Sequence, residues 1–227
     1  MIASTHSAQP DGGSDRAGLA HDLALADWRR RIAALYAEVR HLAVTAPATA
    51  VEHWRSVREQ LYREHPQSPV PESERPAFRA QHFPYDPALR FDVEVRPADH
   101  QAPTSASAPI PMSTGSPLAY RRIGWLDIPF PAGPRRLALL WVEGYADGLF
   151  LPFRDATNGT ETYGAGRYLL DAAKSADLGG DMERGTLILD FNFAYHPSCA
   201  FDPRWSCPLA PPENRLDVAV RAGERMA

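Results

Sequence analysis

The stretch from residue 137 to residue 169 limits the fold more than any other part of the chain. Leu137-Ala138-Leu139-Leu140-Trp141-Val142 is a short unbroken apolar run, followed by two turn dipeptides, Asp147-Gly148 and Asn158-Gly159. A run of this length bounded by turn signals suits a buried strand better than a helix. Asn-Gly and Asp-Gly close antiparallel hairpins because both positions tolerate positive φ. The spacing therefore predicts strands over 137–142, 149–157 and 160–169, joined as a meander.

Four more extended segments belong with these. Phe91-Asp92-Val93-Glu94-Val95 alternates apolar and acidic residues, as a half-buried strand does. Residues 120–128, 186–191 and 216–220 add strand character, which brings the number to about seven. That is enough for an antiparallel β-barrel or sandwich. No βαβ alternation or internal repeat is present, so a doubly wound sheet and a solenoid are both excluded. The expected class is α+β, mainly β.

The N-terminal third reads differently. Trp28, Ile32, Leu35, Val39 and Leu42 recur at helical spacing. A second helix follows with Trp54, Val57 and Leu61 on one face; Thr49-Ala50-Val51-Glu52 has a capping-box pattern, and His65-Pro66 is the stop. From 66 to 87 several prolines exclude regular helix, while Phe78, Phe83 and Tyr85 are too apolar for a free linker, so an extended strap is expected. Residues 1–20 read as a disordered leader and 97–117 as a low-complexity loop. The organisation is thus a leader (1–20), a helical lead-in with strap (21–90) and a β domain (91–227).

Charge and composition remove whole classes of function. A net charge of −4 supplies no basic field for a polyanion, so no nucleic-acid partner is expected. No apolar run is long enough to span a membrane, no export signal opens the chain, and two cysteines do not make a disulfide scaffold. A cytoplasmic protein without a membrane partner is expected. Nothing specifies a cofactor, a metal site or an oligomeric state.

Two places carry candidate chemistry. A two-residue Asn158-Gly159 loop would pair Asp155 with Thr162 and Phe153 with Gly164, leaving Arg154, Glu161, Tyr163 and Arg167 together on the outer sheet face. Two guanidiniums and a phenol there suit a carboxylate or phosphate; equally, they suit a solvated face with an arginine paired to Glu161. The other place is the loop after Asp190, with Asn192, Tyr195, His196, Cys199 and Cys207. Its residues allow a thiolate nucleophile, a metal site or a redox dithiol, or two cysteines that only fill space. The eight-residue separation of the cysteines matches no compact metal or redox motif.

The segments LFLPFRDATNGTETYGAGRYL, LDFNFAYHPSCAF and WSCPLAPPENRLDVAVRAGE resemble, in this order, the proteins grouped as domain of unknown function 1684. The resemblance covers residues 137–225, and HWRSVREQLYREHPQSPVPESERPAF is similar to the lead-in of shorter members. The family pattern takes in Arg154, Tyr163, Arg167, Asp190, Asn192, Tyr195, Cys199 and Cys207; at His196 the family commonly has Asn. The resemblance implies a site among these residues and supplies no reaction. The expectation is a small polar or anionic ligand neutralised by Arg154 and Arg167, bonded by Tyr163 and Tyr195, and oriented through Asp190 and Asn192. The alternatives are a thiol- or metal-dependent hydrolase or oxidoreductase using Cys199, Cys207 and Asp190, and a non-catalytic interaction module.

Overall fold

The computed structural model describes residues 12–98, 110–115, 118–144 and 147–226. The expected leader as far as residue 11, most of the expected loop over 97–117 and part of the Asp147-Gly148 turn region lie outside the described residues. Two helices, α1 (Gly12–Leu42) and α2 (Pro47–Glu64), precede the strands. These are β1 (Gln81–His82), β2 (Arg90–Pro97), β3 (Tyr120–Ile128), β4 (Arg135–Val142), β5 (Gly148–Phe153), β6 (Arg167–Asp171), β7 (Gly180–Asp181), β8 (Thr186–Asp190) and β9 (Glu224–Arg225). Seven of them form one curled antiparallel sheet in the order β6-β5-β4-β3-β2-β8-β7, and β1 pairs with β9 in a small second sheet.

The curl follows from how β2 divides its pairing. Its first half, Arg90–Glu94, runs against β8, and its second half, Val95–Pro97, runs against β3. The middle of the sheet is buried on both faces. In β4, Ala138 and Leu140 join Val39, Trp54 and Phe150 in the core shared with the helices, while Leu137 and Leu139 join Phe153, Leu189 and Phe191 on the other side. This explains why residues 137–142 read as an apolar run without alternation. Full burial of each such side chain contributes roughly 1.5–3 kcal/mol.

The helices follow their sequence periods, with differences at the starts. α1 buries Ile32, Leu35, Tyr36 and Val39 and begins at Gly12, so residues 12–20 continue the helix rather than the leader. α2 begins at Pro47 and Ala46 caps it without a side-chain hydrogen bond, so the capping box expected at Thr49 does not form. Proline at the first helical turn starts the helix instead, since its missing N–H has no partner to lose there. The strap is docked: Phe83 is buried, and its N–H donates to Gly223.

The meander differs from expectation in its third member. β5 ends at Phe153, β6 starts only at Arg167, and Phe153 pairs with Arg167 rather than with Gly164. Pro152 has no N–H to give the ladder, and the register shifts between Leu151 and Pro152. Beyond it the backbone of Arg154 bonds to Asn214 and Leu216. Residues 157–162 fold on themselves instead, with Thr162 N–H donating to Thr157 and Gly159 N–H to Thr162. Gly166 ends this loop at φ +99°, where a Cβ would run into the Phe153 carbonyl. The strand expected over 216–220 is absent; that segment is irregular and packs through Leu216 and Val220. No helix among the described residues is long and apolar enough to cross a membrane.

Candidate functional site

The redrawn loop disperses the outer face expected around Arg167. Both Arg167 and its partner Asp155 have fully buried side chains, 2.9 Å apart. The guanidinium also donates to the carbonyls of Val220 (2.7 Å), Glu224 (3.1 Å) and Ala222, which ties the C-terminal segment to β6. Glu161 pairs with Arg221, not with Arg154 or Arg167. Arg154 is half-buried, and its Nε reaches the carbonyl of Ala165.

Asp190 and Asn192 also serve the interior. Asp190 accepts from Arg90 (3.1 Å) and from the backbone and side chain of Asn192. Asn192 in turn bonds both the N–H and the carbonyl of Asp86, fastening the strap to the end of β8. Burial pushes the Asp190 carboxyl up against the pull of these donors. No hydrogen bond joins it to either cysteine, so the structure does not bring the expected Asp190–Cys199–Cys207 set together. Among the described residues, no group of three or more His, Cys, Asp or Glu side chains is arranged to hold a metal ion.

Tyr195 leads to the cavity. Its backbone pairs with Tyr168 on β6, the edge strand of the large sheet, and this turns its ring toward the helices. A cleft of about 370 Å³ lies there between α1, α2 and the β6 edge. Its wall takes Trp28, Ile32 and Tyr36 from α1, Arg58 and Tyr62 from α2, and Tyr168, Asp171, Lys174, Tyr195 and Cys207 from the β body. On α2, Trp54, Arg58 and Tyr62 follow one another at four-residue intervals, so the apolar stripe itself carries the arginine inward.

Arg58 is the unusual group of this wall. It is 5% exposed, and its Cζ lies 4.5 Å from the ring centre of Tyr62 and 4.6 Å from that of Tyr195. Its Nε donates to Glu224 at 2.5 Å, whereas its Nη2 is buried without a partner among the described residues. Burial works against this charge, but Glu224 beside it outweighs that effect and keeps the guanidinium protonated. Burial likewise pushes the Glu224 carboxyl up, and Arg58 brings it back below its ordinary value. Lys174 is 5.2 Å from the Tyr168 ring and 5.4 Å from the Tyr195 ring, and 3.4 Å from Asp171, which also accepts from the Tyr195 hydroxyl. The wall holds Arg29, Arg58 and Lys174 against the carboxylate of Asp171, and with Glu224, the partner of Arg58, counted as well, one positive charge remains in excess.

The cysteines meet beside this cleft. Cys199 N–H donates to the Cys207 sulfur at 3.3 Å, and both thiols are free. His196 is nearby but committed: its Nε2 accepts the Tyr163 N–H at 3.2 Å, and burial holds its pKa down to about 4, so the ring is neutral. Tyr195 and Cys207 therefore line the cleft with Cys199 next to Cys207, Tyr163 lines a separate cavity with His196 and Phe201, and Arg167, Asp190 and Asn192 serve packing. Sequence reasoning missed Arg58, Asp171 and Lys174; a charge at an inward position of the α2 stripe was the signal for the first.

No curated protein matches the chain. The solution NMR structure of the uncharacterized protein from gene locus rrnAC0354 of Haloarcula marismortui is similar, with 32% sequence identity and a TM-score of 0.56. The similarity covers 78% of this chain and 93% of that one. The model of the family described as "Protein of unknown function (DUF1684)" matches residues 78–225, which supply the β-body half of the cleft, and the chain belongs to that family.

Proposed function

We propose that the protein binds a small anionic ligand with an apolar body in the cleft between the helices and the β6 edge. The observation that carries this reading is Arg58, a buried guanidinium in the cleft wall, stacked between two phenol rings, with one nitrogen left unpartnered. Such a nitrogen is costly to bury, and an incoming carboxylate would supply the missing acceptor. Lys174 would add a second positive charge, and Tyr195 would orient the anion through Asp171. Trp28, Ile32 and Phe150 would cover the apolar part. The size of the cleft falls in the range of small-molecule sites. In this reading the charge-neutralising role passes from Arg154 and Arg167 to Arg58 and Lys174, and Tyr195 keeps its place.

The two free thiols fit a reducing compartment, and we assign the protein to the cytoplasm, with a small molecule rather than a nucleic acid or a membrane as its partner. The test is a thermal and calorimetric titration with benzoate and phenylacetate against benzamide. The carboxylates should stabilise the protein by about 2.7 kcal/mol at a hundredfold excess over Kd. Arg58→Met, which keeps bulk and removes charge, should abolish this difference. Equal binding of the neutral amide would refute an anion site.

A further inference from the structure

We infer that Cys199 and Cys207 form a thiol–disulfide exchange site that takes small organic disulfides entering through the cleft. Eight positions separate the two residues, yet the turn at 198–200 returns the chain so that the Cys199 N–H meets the Cys207 sulfur. Cys207 is anchored on both sides of its backbone. The Cys207 N–H donates to the Ser113 hydroxyl at 2.9 Å, and the Ser113 N–H donates back to the Cys207 carbonyl at 2.9 Å. Cys207 is part of the cleft wall, whereas Cys199 is not. One sulfur thus meets a molecule in the cleft, and the other is held within reach of the first.

Two thiols that only filled space would need neither polar partners nor an opening. Here the Cys207 sulfur accepts the Cys199 N–H and lies in the cleft wall. The Cys207 hydrogen bond, against the effect of burial, holds Cys199 down to about 6. The same bond and burial push Cys207 up, while the Lys174 charge pulls the other way. The Cys207 sulfur would attack one sulfur of the disulfide as its proton passes to the Cys199 thiolate. The S–S bond of the ligand breaks, a bond forms from Cys207 to one half, and the other half leaves as a thiolate. The Cys199 thiol then attacks Cys207 in the mixed disulfide. This forms the 199–207 disulfide and releases the second half as a thiol carrying the proton, so the ligand is reduced and the protein oxidised by two electrons. A neutral disulfide suffices as substrate, so the inference stands apart from the anion-binding reading.

The experiment incubates the full chain with bis(2-hydroxyethyl) disulfide and follows mass and free thiols. An ordinary thiol ionises near pH 8.5, so at about pH 5.5 the folded chain should lose both thiols about tenfold faster than the same chain denatured. The product should be an internal disulfide lacking two hydrogens. Cys199→Ser, treated at about pH 9 where a lone thiol ionises without the Cys199 base, should instead accumulate one mixed disulfide on Cys207. A folded chain that stays a dithiol, or reacts no faster than the denatured chain, overturns the inference without any variant. A Cys199→Ser protein that carries no adduct overturns the assignment of Cys207 as the attacking sulfur.

Discussion

Two arginines are buried against carboxylates, and their surroundings differ. Arg167 meets Asp155, just past the end of β5, and three backbone carbonyls of the segment 220–224. Arg58 meets a single carboxylate, lies among aromatic rings, and keeps an unpartnered nitrogen beside a cavity. Both charges are costly to bury, and each keeps one nitrogen without a partner among the described residues, Nε of Arg167 and Nη2 of Arg58, but Arg167 spends its other donors on the fold and only Arg58 lines the cleft. A buried charge whose hydrogen bonds are taken up internally is a strut. One with donors to spare beside a cavity is a receptor.

The largest expected effect tests the strut. Arg167→Met leaves the buried Asp155 with only neutral donors, from Thr157 and the Val220 N–H, takes a donor from each of the Val220, Ala222 and Glu224 carbonyls, and should cost roughly 3–5 kcal/mol in chemical denaturation. Arg58→Met leaves Glu224 with the His196 N–H as donor at 2.7 Å, so it should cost less than Arg167→Met while removing carboxylate binding. The reverse order would erase the distinction between the two arginines.

A smaller effect is expected between the two sites, at His196. The folded protein holds this ring down to about 4 from 6.5, so the unfolded chain takes the proton first as pH falls. Stability from this group is therefore complete above about pH 6.5 and is lost between there and about pH 4, roughly 3 kcal/mol in all. His196→Asn should flatten that part of the stability–pH curve, since an amide can accept the Tyr163 N–H without titrating. An unchanged curve would place the titration elsewhere. The smallest effect belongs to the exposed pair of Arg221 and Glu161: Arg221→Ala should leave the denaturation midpoint where it was, because water already solvates both charges. A clear shift would mean that the loop at 157–162 bears load through its surface.

The same contrast explains which parts of the molecule were legible in the sequence. Helices and central strands were, because their apolar spacing is a local record of what they face. β3 runs over the expected 120–128, and α2 stops at Glu64 before His65-Pro66. The path from 154 to 166 was not. Asn158-Gly159 signals a turn, but Pro152 and the distant Asn214 and Leu216 decide where the ladder ends. The site was legible on one side only. Tyr195, Tyr163 and the cysteines lie in one polar, aromatic segment or near it in space, whereas Arg58 is contributed by a helix that reads as packing. A guanidinium on an apolar stripe is the one local sign that such a helix does more than pack.

The long reach of that guanidinium also affects the order of events during synthesis. Arg58 leaves the ribosome early, and its carboxylate, Glu224, lies 166 positions later in the chain. Until that residue is made, α2 presents a bare charge in the face it must bury, and early docking of the helix pair is penalised. The segment at 220–224 also supplies the carbonyls that Arg167 requires. One late stretch of polypeptide therefore completes both buried charges, and the cleft takes its final form last, as the keystone of an arch is set after its sides.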